Sequence, residues 1–398
     1  MEDVIIIGGG IIGMTIAYEL RKRSPQLKIT LIEKEPNVGA HASGRNSGVL
    51  HAGFYYDPDG LKARFAVHGN RLMRNFCLEK GLTLNQTGKV VVAQNPQETP
   101  LLKKLYDRGQ KNGVQLSLID EKELFELEPL AHTCEQALYS PNTASIIPDQ
   151  INDYFKNWLI KNNVTLKCHT AFLAKTADGI MTSQGKIKGK FIINCAGLYA
   201  DKVAQPYLHN MPYIMIPFKG LYLKSQLKKS LLRLQIYPLP HPDAPFLGVH
   251  FTVTGDGQMK IGPTAIPAFW RENYAGLDRA QPKELFETIT TNAGLFWRNQ
   301  FNFRKLAIEE TKKNSMMYLK HLAGKLVKNF DLKSFNQWSR PGIRAQLYDQ
   351  ESKQLVQDFV IKKTAHTIHL LNAVSPAYTC SLAIAEHIAD EFSKMNDH

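Results

Sequence analysis

Cysteine is scarce in this chain: five in 398 residues, Cys77, Cys134, Cys168, Cys195 and Cys380. Their number is odd and no two form a C-x-x-C pair, which argues against a disulfide-stapled scaffold and a cysteine metal site. No His, Cys and acidic cluster has metal-ligand spacing. No serine or cysteine sits in a recognisable nucleophile elbow. No apolar run reaches the length that spans a bilayer. Acidic residues are in deficit, 36 Asp and Glu against 49 Lys and Arg, for a formal net charge of +13. That balance favours anionic substrates or anionic lipid surfaces and says nothing of fold. Nucleic-acid binding is not expected, because no recognised module accompanies the charge. Free thiols, and an apolar strand that begins by residue 4 and so leaves no length for a signal or transit peptide, predict a cytoplasmic protein.

What is present is concentrated at the N-terminus. The apolar run Val4 to Ile7 feeds into Gly8-x-Gly10-x-x-Gly13 and then a helical pattern, Met14 to Arg21. A strand that turns on glycines into a helix offers bare N–H groups and the positive end of the helix dipole to a diphosphate. Gly8 permits the tight turn, Gly10 lets the pyrophosphate approach, and Gly13 lets helix and strand pack closely. Ile11 and Ile12 open the same helix and belong to the expected cofactor contacts. A second strand, Lys28 to Ile32, ends in Glu33, where a carboxylate must sit to hold a ribose hydroxyl. Lys34 follows it.

The length allows two domains and a sizeable core. The loop at residues 36–60 is rich in Gly, Ser, Asn and His, and Leu61 to Lys80 has helical periodicity. Asp149 to Asn162 reads as an amphipathic helix with Ile151, Tyr154, Phe155, Trp158 and Leu159 on one face. The strand Val164 to Cys168 follows. An apolar strand then runs from Gly189 into the small turn Cys195-Ala196-Gly197, a second place where backbone can press on a cofactor. Residues 210–275 alternate apolar and polar and predict an antiparallel sheet. At the C-terminus Asn372 to Thr379 precedes a helical run, Cys380 to Lys394. Ser375 is placed to cap that helix and Pro376 to occupy its first turn. Its start aims a second helix N-terminus at an electron-rich part of the cofactor, with Ala377 and Thr379 also expected in contact.

A nicotinamide dehydrogenase usually completes its nucleotide domain in one stretch. Here it is completed by pieces near residues 190 and 370, a discontinuous layout that resembles flavoproteins of the D-amino-acid-oxidase-like superfamily. The expected fold class is α/β. A discontinuous Rossmann-like FAD-binding domain spans residues 1–85, 146–208 and 335–398. A mixed or antiparallel-sheet substrate domain spans 86–145 and 209–334, with a basic helical insertion at 282–334.

Residues 44–64 run Gly-Arg-Asn-Ser-Gly-Val-Leu-His-Ala-Gly-Phe-Tyr-Tyr-Asp-Pro-Asp-Gly-Leu-Lys-Ala-Arg. Together with Tyr237 to Phe251, Gly262-Pro-Thr-Ala265, Pro341-Gly-Ile-Arg-Ala-Gln346 and Asn372 to Ser381, this stretch resembles the L-2-hydroxyglutarate oxidase/dehydrogenase family from end to end. The resemblance implies FAD as cofactor and oxidation of L-2-hydroxyglutarate to 2-oxoglutarate by hydride transfer to flavin N5. Electrons would pass on to a quinone or to oxygen. It also implies cofactor contacts from Ser43, Arg45, Asn46, Ser47, Gly48, Val49 and Gly342. The chain departs from the family at Phe218-Lys-Gly-Leu-Tyr222, where relatives carry Phe-Arg-Gly-Glu-Tyr. Lysine keeps the charge but loses the bidentate fork, and Leu221 removes a carboxylate. Two rivals differ in class: an amine or amino-acid oxidase on the same architecture, and a flavin-binding scaffold without turnover.

Oxidising a 2-hydroxy acid needs a base for the hydroxyl proton and cations for the carboxylates. His51 is the expected base, because histidine titrates near working pH and this one follows the Ser47-Gly48 turn. His250 is the alternative base or a carboxylate donor. Arg344, then Lys219, are the expected carboxylate partners, since an arginine fork matches a carboxylate in two hydrogen bonds. Tyr55 and Tyr237 add hydroxyl donors. Between Arg298 and Lys333 nine basic residues face three acids and interleave with aromatics. Such a stretch predicts peripheral attachment to an anionic membrane surface through residues 296–333.

Overall fold

The computed structural model describes residues 1–240 and 246–396. Residues 241–245 of the Tyr237 to Phe251 motif therefore lie outside the described residues. The chain forms two compact units. One comprises Met1–Asn46, Pro148–Ile216 and Ala345–His398; the other comprises Ser47–Ile147 and Pro217–Arg344.

The first unit is built on a parallel sheet in the order Thr367–Leu370, Gly185–Asn194, Glu2–Ile7, Ile29–Ile32, Thr165–Lys167. Val4, Ile5, Ile6 and Ile7 are all buried, as a central strand covered on both faces must be. Ile7 pairs with Asn194 on one side and Ile32 on the other. The strand ends followed by Gly8, Glu33 and Cys195 are thus side by side. Parallel neighbours require crossovers, and helices Ile11–Arg23, Pro148–Lys161 and Ser381–Asn396 pack together beside the sheet. Tyr18 meets the edge of Phe155 at 5.3 Å and Trp158 at 4.4 Å. The helix expected at Asp149 to Asn162 is present as Pro148–Lys161, with Ile151, Phe155 and Leu159 buried.

The second unit holds an eight-stranded sheet: Phe335–Trp338, Leu223–Ser225, Met259–Gly262, His250–Val253, Gln235–Pro238, Lys89–Val92, Gln136–Ser140, Ser117–Asp120. The sheet is mixed, as the mixed or antiparallel expectation allows: Gln235–Pro238 runs parallel to Lys89–Val92 and the other pairs are antiparallel. Alternation divides the core. Val90, Val92, Ile236 and Phe251 lie in one cluster, with Leu319 and Ala323 of helix Met316–Gly324. Val91, Ala93, Leu138 and Tyr237 lie in the other, with Phe54 and with Leu102 and Leu105 of helix Thr99–Lys111.

Residues 47–85 group with this second unit rather than with the dinucleotide unit. The reason is pairing: Val49–Leu50 and Leu84–Asn85 both bond Ala144–Ile146 as a small sheet. Asn70, on helix Leu61–Glu79, donates its side-chain amide to the carbonyls of Leu50, His51 and Asn142. That clamp fixes the segment carrying His51.

Candidate active site: a dinucleotide cradle and a buried cationic cluster

In the first unit the glycine turn is shaped by close backbone contacts. Gly8 has φ +109°, and a Cβ there would lie 2.4 Å from the Cys195 carbonyl oxygen. A Cβ on Gly13 would lie 2.1 Å from the Gly8 carbonyl oxygen. On Gly10 a Cβ would meet only the Ser43 hydroxyl, at 3.1 Å. Gly8 and Gly13 thus let strand, helix and the 195–197 turn close on one another, while at Gly10 the one near atom is the end of a side chain. Gly10 opens helix Ile11–Arg23 with no side-chain cap. Ser43 accepts from the Ile11 N–H at 2.8 Å, whereas the N–H groups of Gly10, Ile12 and Gly13 bond to nothing among the described residues. Orphan donors at a helix N-terminus are the signature of an anion site.

Glu33 is buried and already engaged: its two carboxylate oxygens accept from the Gly9 and Glu35 N–H groups at 2.8 and 2.9 Å. Each oxygen keeps a further lone pair for a ribose hydroxyl, and the two bonds hold the carboxylate beside the glycine turn. The residues fit a dinucleotide on all three counts: orphan donors, a Gly10 with no backbone against its face, and a positioned acid.

Several expected contacts have other work. The Lys34 ammonium pairs with Glu35 at 2.7 Å, and the Arg45 guanidinium donates to the Ala40 carbonyl at 2.9 Å. Asn46 donates to the Ala42 and Ser43 carbonyls, tying down the short 3-10 turn Ala42–Gly44. The Cys195 N–H donates to the Ile7 carbonyl, burial pushes its thiol pKa up, and Ala196 leads into Gly197 at φ +53°. Ser47, Gly48, Val49 and Gly342 belong to the second unit.

The C-terminal helix begins at Ser381, not Cys380. Residues 375–380 form turns before it, so Ser375 is not its cap and Pro376 is not in its first turn. The turns are closed by Ala377 N–H to Val374 carbonyl and Cys380 N–H to Pro376 carbonyl bonds. Ser375 is exposed, while Pro376, Ala377 and Thr379 are buried. Asn372 is buried too: its carbonyl accepts from the Leu347 N–H and its amide donates to Val356 and Asp358 carbonyls. It is a structural clamp.

The second unit gathers a buried polar cluster. His51 and His250 are both buried, and each feels the charge of Lys89. Burial first, then Lys89, His250 and Arg344, hold the His51 imidazole well below its ordinary 6.5. His250 stacks on Tyr237 at 3.7 Å and 15°. Its Nδ1–H donates to the Gly248 carbonyl at 2.8 Å, which leaves Nε2 as an acceptor. Burial takes His250 to about 3. Both rings are therefore neutral at physiological pH, the form that can accept a proton.

Arg344 lies over Phe246 at 4.6 Å, and Tyr222 and Tyr56 are close enough to support its charge. It has no ion pair among the described residues. Lys219, at the end of strand Tyr213–Gly220, is half-buried, which lowers its pKa; it has no such link to the two histidines. Leu221, the departure from the family pattern, donates its N–H to Thr264. Tyr237 is buried and Tyr55 half-buried with its hydroxyl enclosed, and this burial drives both phenols well above 10.0. Sequence reasoning missed Lys89. It is 0% exposed, and the only sequence signal is a lysine heading the otherwise apolar run Lys89-Val-Val-Val-Ala93.

A family model described as "FAD dependent oxidoreductase" matches residues 3–391. A protein of Indibacter alkaliphilus named L-2-hydroxyglutarate dehydrogenase is 35% identical over 98% of both chains. The human mitochondrial protein of that name is 33% identical over 98% of this chain and 88% of its own length. The chain belongs to the L-2-hydroxyglutarate dehydrogenase family of FAD-dependent oxidoreductases. It is an FAD enzyme, and the cradle described above is where its own residues fit that cofactor. Solved structures agree on the fold. The L-alpha-glycerophosphate oxidase of Mycoplasma pneumoniae, with FAD bound, has a TM-score of 0.76 at 23% identity, covering 100% of this chain and 95% of its own. Glycine oxidase from Geobacillus kaustophilus has a TM-score of 0.74 at 17% identity, over 99% and 95%.

Proposed function

We propose that this flavoenzyme oxidises L-2-hydroxyglutarate to 2-oxoglutarate. The observation that carries the reading is the buried cluster of the second unit: neutral imidazoles beside Lys89 and Arg344, neither of which forms an ion pair with a carboxylate among the described residues. When bound, FAD supplies the acceptor for the hydride from the substrate carbon. Arg344 holds a carboxylate through its fork. Neutral His51 takes the hydroxyl proton. The positive neighbours that keep His51 weakly basic are neutralised when a dianion enters, so its proton affinity rises once substrate is bound. His250, with its Nδ1–H on Gly248 and its ring on Tyr237, presents Nε2 as a hydrogen-bond acceptor that orients the substrate while His51 takes the proton. The electron acceptor is a quinone or oxygen, and the site of action is cytoplasmic.

The test mixes holoenzyme anaerobically with L-2-hydroxy acids and with amino acids. Hydroxy acids, the dicarboxylate foremost, are expected to bleach the flavin. Bleaching by amino acids alone would assign the rival amino-acid oxidase chemistry, and bleaching by neither would remove both substrate readings.

The same reading includes docking on an anionic bilayer surface. No helix among the described residues is long and apolar enough to cross a membrane, but helix Pro282–Arg298 carries Phe286, Ile289 and Trp297 exposed at helical spacing. Trp297 is 77% exposed. Exposed aromatic and basic residues together suit the interface of an anionic bilayer. Lys312 and Lys313 are engaged with Glu309 and Glu310, so the exposed Arg298 and Lys305 are the charges to test. The wild type is expected to sediment with phosphatidylserine vesicles and not with phosphatidylcholine. Arg298→Glu with Lys305→Glu should weaken that binding at least tenfold, at about 1 kcal/mol per basic residue. Equal sedimentation of wild type and variant would remove the proposal.

A further inference from the structure

Lys89 begins the strand Lys89–Val92 and is held between two neighbours, Ser140 on one side and Gln235 on the other. Strand alternation puts it on the face of Val91, with Phe54 and Tyr237. Its ammonium lies 3.8 Å from the Tyr237 ring centre, 5.2 Å from Tyr55 and 5.7 Å from Phe54. The side chain is fully buried, and Nζ has no hydrogen-bond partner among the described residues. No carboxylate pairs with it among the described residues. The buried Tyr55 hydroxyl likewise has no partner among the described residues.

A buried amine without a counter-ion costs several kcal/mol, and an apolar residue would remove that cost. Two unsatisfied donors therefore share one wall of the cluster that holds His51 and His250. A carboxylate offers acceptors for both at once. Arg344 provides for one carboxylate of a dicarboxylic substrate, and a second remains to be held.

We infer that Lys89, assisted by the Tyr55 hydroxyl, anchors the distal carboxylate of the substrate and sets the preference for a dicarboxylate over a monocarboxylate. The inference rests on the hydroxy-acid reading above. Burial lowers the Lys89 amine to about 7, so an incoming carboxylate draws a proton onto it at higher pH. The aromatic faces then stabilise the ammonium. In this arrangement Lys89 touches the substrate end that does not react, so it governs affinity and selectivity rather than the chemical step.

The experiment compares wild-type and Lys89→Met holoenzyme on L-2-hydroxyglutarate and on L-2-hydroxypentanoate, which carries a methyl group in place of the distal carboxylate. Lys89→Met should lose about two to three orders of magnitude in kcat/KM on the dicarboxylate, mostly through KM. On L-2-hydroxypentanoate it should be unchanged or better. Lys89→Arg should recover part of the loss. An equal fall on both substrates would place Lys89 at the reacting end and overturn the inference, as would no fall on either. If Lys89→Met does not retain FAD, the wild type still decides. Glutarate binding at pH 8, measured calorimetrically in buffers of different ionisation heat, should take up a proton, and pentanoate binding should not. Equal uptake, or none, overturns the role. Should the wild type oxidise neither hydroxy acid, the substrate reading fails, while the glutarate and pentanoate comparison still judges Lys89 as a carboxylate anchor.

Discussion

Gly13→Val is expected to yield a protein that retains no FAD. The Cβ alone would stand 2.1 Å from the Gly8 carbonyl oxygen, a backbone atom that cannot rotate away. Helix Ile11–Arg23 would have to move off strand Glu2–Ile7, and with it the orphan N–H groups that would hold the diphosphate. Overpacking of this kind costs about 1–3 kcal/mol or more in an ordinary core; here it also dismantles the cofactor site. Gly10→Ala separates the two effects. Its Cβ meets only the Ser43 hydroxyl at 3.1 Å, so the fold should survive while the pyrophosphate approach is obstructed. The measurement is flavin content of the purified proteins, with circular dichroism to confirm folding. Gly13→Val purified yellow and fully loaded, or Gly10→Ala with unchanged FAD affinity, would contradict the assignment.

The second large effect is at His51. His51→Ala should slow anaerobic flavin reduction by L-2-hydroxyglutarate by about two to four decades, the usual loss when one general base is removed. FAD content should stay at the wild-type level, because His51 belongs to the second unit and the cradle glycines to the first. The pH profile adds a readout that lost packing would not give. Burial and the neighbouring cations hold His51 well below 6.5, so the base is already deprotonated at neutral pH. Wild-type kcat/KM should therefore show no acid-side fall until well below pH 6.5. On the alkaline side Lys89, at about 7, loses its proton, and kcat/KM for the dianion should fall by about tenfold per pH unit. His250→Ala should cost less, because in this reading His250 orients the substrate and His51 takes the proton. A His51→Ala enzyme reduced at the wild-type rate would remove His51 as base.

The cradle was largely legible in the sequence, because everything it needs is local. Strand, glycines, helix, second strand and Glu33 occupy 33 consecutive residues, and their spacing alone implies the geometry. The amphipathic helix at Pro148–Lys161 was legible for the same reason. The second unit was not. Lys89 heads three valines, and local pattern cannot say whether a lysine at a strand start snorkels to water or is enclosed. Only the placement of Phe54, Tyr55 and Tyr237 from distant segments encloses it. The sequence also misplaced residues 47–85, since membership is decided by pairing of Val49–Leu50 with a strand almost a hundred residues later. Ser375-Pro376 carries a helix-start signature, yet six residues of turn intervene before Ser381. Cap chemistry and turn chemistry use the same residue types, so the local sequence did not separate them.

The most direct measurement mixes the holoenzyme with L- and with D-2-hydroxyglutarate under anaerobic conditions and follows flavin absorbance and product together. The account predicts that the L-isomer bleaches the flavin and leaves one 2-oxoglutarate for each FAD reduced, and that the D-isomer does neither. A flavin that stays oxidised in the presence of the L-isomer, or that bleaches without forming 2-oxoglutarate, would contradict it.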